Sequence, residues 1–372
     1  MAMQSGLYVP FVSWQPAGTL GGVQNSSYGS AAQFTFNAAD DAIAMIFQSP
    51  GTTVPDQISF WVNGVSVAGT TGDIEATLET VSTSRPTGTP VTNSATGTST
   101  ISTTGVKTIT GMDGTATVVR GTTYAVVLTA GAGWDRTLTI AYSFGTSQGN
   151  LGKPHIATSD AGAAFTYAYA TNSGFNFGIA DASGVFIKVP GFIGASTVTG
   201  YESFSNASTP DERGNRFVLP FKAVCCGVTV GFNQGSVPGA NDDYSVRLYS
   251  DHTGTPVTEA SSTLEGEGPN AGRQWIFFDN EVTLTAGTIY AVTLKSDGSD
   301  SVQLAQSTYD ATAQIGSNAG LNCYSTTRNN STGACTDSNV KVYSVFPFFS
   351  QLDDGAGGGS ASGVRNPLRG PI

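Results

Sequence analysis

His155 in GKPHIA and His252 in SDHTGTP are the chain's two histidines, and so the first places to look for general acid–base chemistry near neutral pH. A serine hydrolase would set such a base against a nucleophile on a GxSxG turn, and neither GYES nor GVTVG supplies one. Both histidines therefore read as loop or strand-end imidazoles. The paired acids Asp40–Asp41, Asp242–Asp243 and Asp353–Asp354 raise a second possibility, because Ca²⁺ takes clustered carboxylate and carbonyl oxygens. Neither internal pair extends to DxDxDG, so capping of turns by the Asp side chains is the simpler reading. A glycosidase would need two carboxylates facing each other across a cleft. On these grounds no catalytic, cofactor-binding or metal-ligating residue is assigned, and no cofactor is expected.

Glu212 and Arg213, in STPDERGNRF, are the densest charges in the chain, and their position suggests a local turn closed by an ion pair. Trp14, Trp61, Trp134 and Tyr249 could form a stacking platform for a sugar ring, although tryptophans of a β-sandwich more commonly lie in its core. Four cysteines complete the set of reactive groups. Cys225 and Cys226 are adjacent in an expected strand and point to opposite faces, which makes at least one a buried thiol. Cys323 and Cys335 flank the polar stretch NCYSTTRNNSTGAC and could form a disulfide in an oxidising compartment. With no CxxC and two histidines, a zinc site is not expected.

The elements that carry these residues come in two copies. TGTPVT occurs at Thr87–Thr92 and again at Thr253–Thr258, while RGTTYAVVL (Arg120–Leu128) matches AGTIYAVTL (Ala286–Leu294), both at an offset of 166 residues. Upstream the offset becomes 170: Ile74–Leu78 aligns with Tyr244–Leu248, and Ile58–Val62 with Val228–Phe232. Further upstream, Ala42–Phe47 is matched to Arg216–Phe221. Alternation has period two, as in Tyr290, Val292 and Leu294 against Ala291, Thr293 and Lys295, which is the pattern of half-buried antiparallel strands. Turn clusters such as NGVSVAGTTGD and FNQGSVPGANDD punctuate them. The expected fold is all-β: two tandem antiparallel β-sandwich, jelly-roll-like domains from an internal repeat, with extended N- and C-terminal arms. The expected divisions are an arm at 1–24, domains at 25–195 and 196–352, and a Gly/Ser-rich linker and terminal peptide at 353–372.

Composition narrows the function classes. Charged residues make up 12% of 372, about half the usual ~25%. A net charge of −11 speaks against nucleic acid and anionic membrane as partners, since both recruit clustered Lys and Arg. No apolar run reaches the ~18 residues of a membrane span, and MAMQSGLYVPFVSWQP lacks the basic and apolar regions of a signal peptide, so no export signal is expected. The last residues, VRNPLRGPI, are compact and cationic, which makes Arg365, Asn366, Pro367, Leu368 and Arg369 a candidate docking tail for a neighbouring subunit.

From Arg247 to Asp297, RLYSDHTGTPVTEAS followed by WIFFDNEVTLTAGTIYAVTLKSD resembles jelly-roll modules of bacterial surface and tailed-phage structural proteins, whose pattern ends in L-T-A-G-T-x-Y-x-V, here Leu284–Val292. The first half matches more loosely, with VRGTTYAV and no counterpart of Trp275. The resemblance implies a phage virion structural protein: a capsid decoration, head fibre or tail-associated component, made in the host cytoplasm. Its implied partners are other virion proteins, further copies of itself and host-surface glycan. The alternative is a secreted carbohydrate-binding or adhesin module pair.

Overall fold

The computed structural model describes residues 12–15, 18–19, 32–49, 51–66, 72–82, 85–91, 96–112, 117–143, 152–169, 174–175, 177–184, 188–189, 191–195, 200–219, 222–232, 242–250, 254–264, 273–299, 301–308, 323–329, 335–338 and 341–353. Among them there is no helix, and every strand pairing is antiparallel. The chain divides into two compact units. The first is Gly18–Val189 with Glu267–Arg273; the second is Met1–Ala17, Pro190–Gly266 and Gln274–Ile372.

Each unit is built on one strand order. In the first, the large sheet runs Thr166–Tyr169, Gly152–Ser159, Ala42–Gln48, Thr123–Ala130, Asp73–Ser82, with Arg85–Pro90 and Thr96–Thr100 both pairing Asp73–Ser82 at the edge. In the second it runs Thr336–Ser338, Cys323–Arg328, Glu212–Val218, Ile289–Ser296, Asp242–Ser250, Thr258–Leu264. The register repeats as well as the order. Tyr124 faces Phe47 and Val126 faces Leu78 in the first unit; Tyr290 faces Phe217 and Val292 faces Leu248 in the second. Ala42–Phe47 thus corresponds to Glu212–Phe217, at the same 170-residue offset as its neighbours. The expected match to Arg216–Phe221 is therefore four residues out of register.

The RGTTYAV and AGTIYAV motifs are one corner made twice. Gly121 and Gly287 sit at φ 85° and 75°, in the left-handed region where a side chain is strained, and their N–H groups donate to Ser49 O and Leu219 O. The tyrosine hydroxyls close the corner: Val119 N donates to Tyr124 Oη at 3.0 Å and Thr285 N to Tyr290 Oη at 2.9 Å. In the second unit the inward residues Phe217, Tyr244, Val246, Leu248, Tyr290, Val292 and Leu294 meet Cys225, Val228, Val230, Phe278, Leu304 and Phe349 from the facing strands in one core. Burial of each large side chain there contributes about 1.5–3 kcal/mol.

The expected boundary at 195/196 falls instead at Val189/Pro190, since Gly191–Ala195 pairs with Val345–Asp353 of the second sandwich. The expected arm at 1–24 is partly in strands. Val12–Gln15 pairs with Gly191–Ala195, and Gly18–Thr19 with Lys188–Val189.

Candidate functional site

Glu212 is wholly buried on the face of the second large sheet that points away from the core. Strand alternation puts Glu212, Gly214 and Arg216 on that outer face with Arg247, Tyr249, Thr293, Thr326 and Arg328 of the neighbouring strands. The Glu212 carboxylate is fully engaged. Tyr249 Oη donates to Oε1 at 2.8 Å, Thr293 Oγ1 donates to the same oxygen, and Arg247 Nη1 lies 3.4 Å from Oε2. Arg247 also reaches Glu259 at 2.9 Å, and Arg216 pairs with Asp337 at 2.8 Å. Burial first, then the Glu212 charge, pushes the Tyr249 phenol well above its usual range. A buried carboxylate neutralised by arginine and hydrogen-bonded by two hydroxyls is a strand-locking device, and nothing can reach it from solvent without the sheet opening.

The first unit carries a different surface on the same framework. Ala42, Ala44, Ile46, Ala125, Val127 and Ala157 occupy the positions of Glu212, Gly214, Arg216, Ala291, Thr293 and Thr326, and they form an apolar cluster with Val81 and Phe165. What both copies share is a grip on the TGTP turn. In the first, Gly88 N donates to Glu79 Oε2 at 2.7 Å; in the second, Arg328 Nη1 donates to Gly254 O at 3.1 Å. Burial, with the Glu75 charge assisting against the Gly88 hydrogen bond, raises the Glu79 carboxyl.

Arg213 turns the opposite way from Glu212, over the Phe204 ring at 4.4 Å, and its Nε lies 3.1 Å from Glu202 Oε1. Lys341 Nζ and Tyr343 Oη both donate to Glu202 Oε2. Burial alone would raise the Glu202 carboxyl, but the Lys341 and Tyr343 hydrogen bonds and the Arg213 charge outweigh it and hold it low. Sequence placed Glu212 and Arg213 in a turn, paired with each other. They are instead successive residues of a central strand, on opposite faces, Glu212 paired with Arg247 from a later strand and Arg213 with Glu202 from the strand just before. Beside Arg213 on the inner face, Asn215 ties the large sheet to the facing strands Lys341–Tyr343 and Val345–Asp353. Its Nδ2 donates to Tyr343 O and Val345 O, both at 2.7 Å, and its Oδ1 accepts from Tyr343 N at 2.9 Å.

The remaining candidates are dispersed. Asp41 caps a turn, accepting from Asn37 N, Ala38 N and Ala161 N at 2.8–3.0 Å, which uses the oxygens a cation would need. Among the described residues no cluster of three potential metal ligands exists. His155 lies in a strand opposite Ile46, while His252 and the tail Arg365, Asn366, Pro367, Leu368 and Arg369 lie outside the described residues. Trp134 and Tyr249 are buried, Trp134 donating to Phe36 O, so they form no exposed platform; Trp61 is half-buried opposite Val106.

Cys225 and Cys226 are buried thiols, and burial pushes Cys225 up to about 12. The expected Cys323–Cys335 disulfide is not made. Thr327 faces Thr336 in that hairpin, which sets Cys335 level with Arg328, five residues along the strand from Cys323. At ~3.3 Å per residue that is roughly 16 Å, against the ~7 Å that a disulfide spans. Cys335 is a half-buried thiol, raised by burial.

No protein-family model matches the chain, and no curated protein matches it. Among solved structures, it aligns with the infectious bursal disease virus VP2 subviral particle at 11% identity, over 92% of this chain and 83% of that one, with a TM-score of 0.12. That score is too low to bear on fold or function.

Proposed function

We propose that this chain is a structural component of a tailed-phage particle, a capsid decoration, head fibre or tail-associated protein made in the host cytoplasm, that works by contact with other virion proteins and with its own copies. The observation that carries the reading is how the charged groups of the second sandwich are used. Glu212, Arg213, Arg247 and Glu202 are tied to one another and to neighbouring strands, so they stabilise sheets. A duplicated module whose buried charges serve its own strands suits a structural or spacing role, and duplication suits weak multivalent contact with a host glycan.

Mass spectrometry of purified particles tests this directly, by counting copies of the chain per major capsid protein. Many copies would make it a decoration and a few to a few dozen a fibre or tail component; its absence from particles would defeat the proposal. The glycan-binding alternative rests on Trp61, half-buried next to the hydroxyl pair Ser59–Thr108. A glycan-array signal lost in Trp61→Ala would promote it.

A further inference from the structure

The second large sheet ends on Thr258–Leu264, and among the described residues no strand pairs its other side. Natural sheets guard such an edge with proline, charge or a break, because its free N–H and C=O groups template another strand. The first unit does so. Its edge is split between Arg85–Pro90 and Thr96–Thr100, and the first piece carries Arg85, Pro86 and Pro90. The strand TEASSTL has no proline, no lysine and one charge, Glu259, which Arg247 neutralises at 2.9 Å. Glu259 and Ser261 are exposed, while Ala260 packs on the core.

We infer that this edge pairs with the same edge of a second copy of the chain, antiparallel and centred on Ser261. The phase of the ladder supports that centre. Val257 N donates to Leu248 O, whose residue faces Thr258, so Thr258, Ala260 and Ser262 direct their backbone groups inward and Glu259, Ser261 and Thr263 direct theirs outward. A twofold axis at Ser261 sets Ser261 against Ser261 and Glu259 against Thr263 as hydrogen-bonded pairs, for about six new backbone bonds. Ala260 then faces Ser262, and no like charges oppose each other across the axis. A centre at Glu259 would oppose two carboxylates and is disfavoured. The edge is short, so the association is weak in isolation and gains from multiple attachment. This pairing is independent of the virion reading, because it is a property of the purified chain.

Sedimentation of the full chain over a wide concentration range tests it. The weight-average mass should rise from the 38.1 kDa of one chain toward twice that value. Ser261→Pro removes an outward N–H and no ladder bond, and Ser261→Lys sets two cations face to face. Both should keep the wild-type circular dichroism and stay monomeric throughout. If Ser261→Pro fails to fold, Ser261→Lys carries the test. A wild-type mass that stays at one chain, or a folded Ser261→Lys that self-associates as wild type does, would overturn the inference.

Discussion

Asn215→Ala should be among the most damaging single substitutions in the second sandwich. The amide makes three hydrogen bonds to the backbone of the facing strands, at Tyr343 N, Tyr343 O and Val345 O, with bond lengths of 2.7–2.9 Å in a site 1% exposed. At a net ~1 kcal/mol per bond the loss is about 3 kcal/mol, and more where a backbone group is left buried without a partner. For a unit of this size, with ~2–4 °C per kcal/mol, the transition of the second sandwich should fall by about 6–12 °C in differential scanning calorimetry. Asn215→Leu separates bonding from volume, since it fills the site and makes none of the bonds. It should be as destabilised as the alanine variant. If Asn215→Leu recovers wild-type stability, or if Asn215→Ala costs under about 1 kcal/mol, the amide is not the tie between sheets that its geometry indicates.

Two further predictions concern titration and thiols. Glu202 is held below its usual range in the fold, so its contribution is complete above the unfolded value of ~4.3 and is lost as pH falls through the lower folded value. The acid limb of the second unit's melting temperature should therefore be shallower in Glu202→Gln, with the two proteins converging in strong acid; parallel acid limbs would contradict the assignment. Under native non-reducing conditions, peptide mapping should find Cys335 without a bond to Cys323, and Cys225 and Cys226 should resist alkylation at pH 8 until the chain is unfolded. A mapped Cys323–Cys335 disulfide would show that the hairpin register is wrong.

The repeat was legible because register leaves a mark on sequence. A one-residue slip would send Tyr290, Val292 and Leu294 to the wrong face, so both copies keep the same apolar set at the same spacing. TGTP and GTxY were legible for a local reason. Each is a turn that needs glycine at positive φ, at Gly88, Gly121, Gly254 and Gly287. The domain boundary was not, because Gly191–Ala195 reads as a link and becomes a strand through partners more than a hundred residues away on both sides, Val12–Gln15 before it and Phe348 and Phe349 after it.

The outer face shows why the charged network was missed. Period-two reasoning assigns one side of a strand to core and the other to water, and adjacent charges such as Glu212–Arg213 then look like a loop. In this sheet both sides are buried: Glu212 is 0% and Arg213 6% exposed. The partners that make this tolerable are Arg247, Tyr249 and Thr293 on one side, from strands far along the chain, and Glu202 on the other, from the preceding strand Gly200–Phe204 across an irregular link, so no regular spacing announces them. The first copy shows that the framework does not demand charge, since Ala42, Ala44 and Val127 fill the equivalent outer positions. A buried ion pair can be replaced by apolar packing at little or no cost in stability. What Glu212 and Arg247 add over the apolar filling of the first copy is a link to the edge strand of the sheet. Arg247 holds both the buried Glu212 and the exposed Glu259 of the Thr258–Leu264 strand. By holding and neutralising Glu259, Arg247 removes the charge that would otherwise guard the outermost strand of the second sheet, where the first copy carries Pro86 and Pro90.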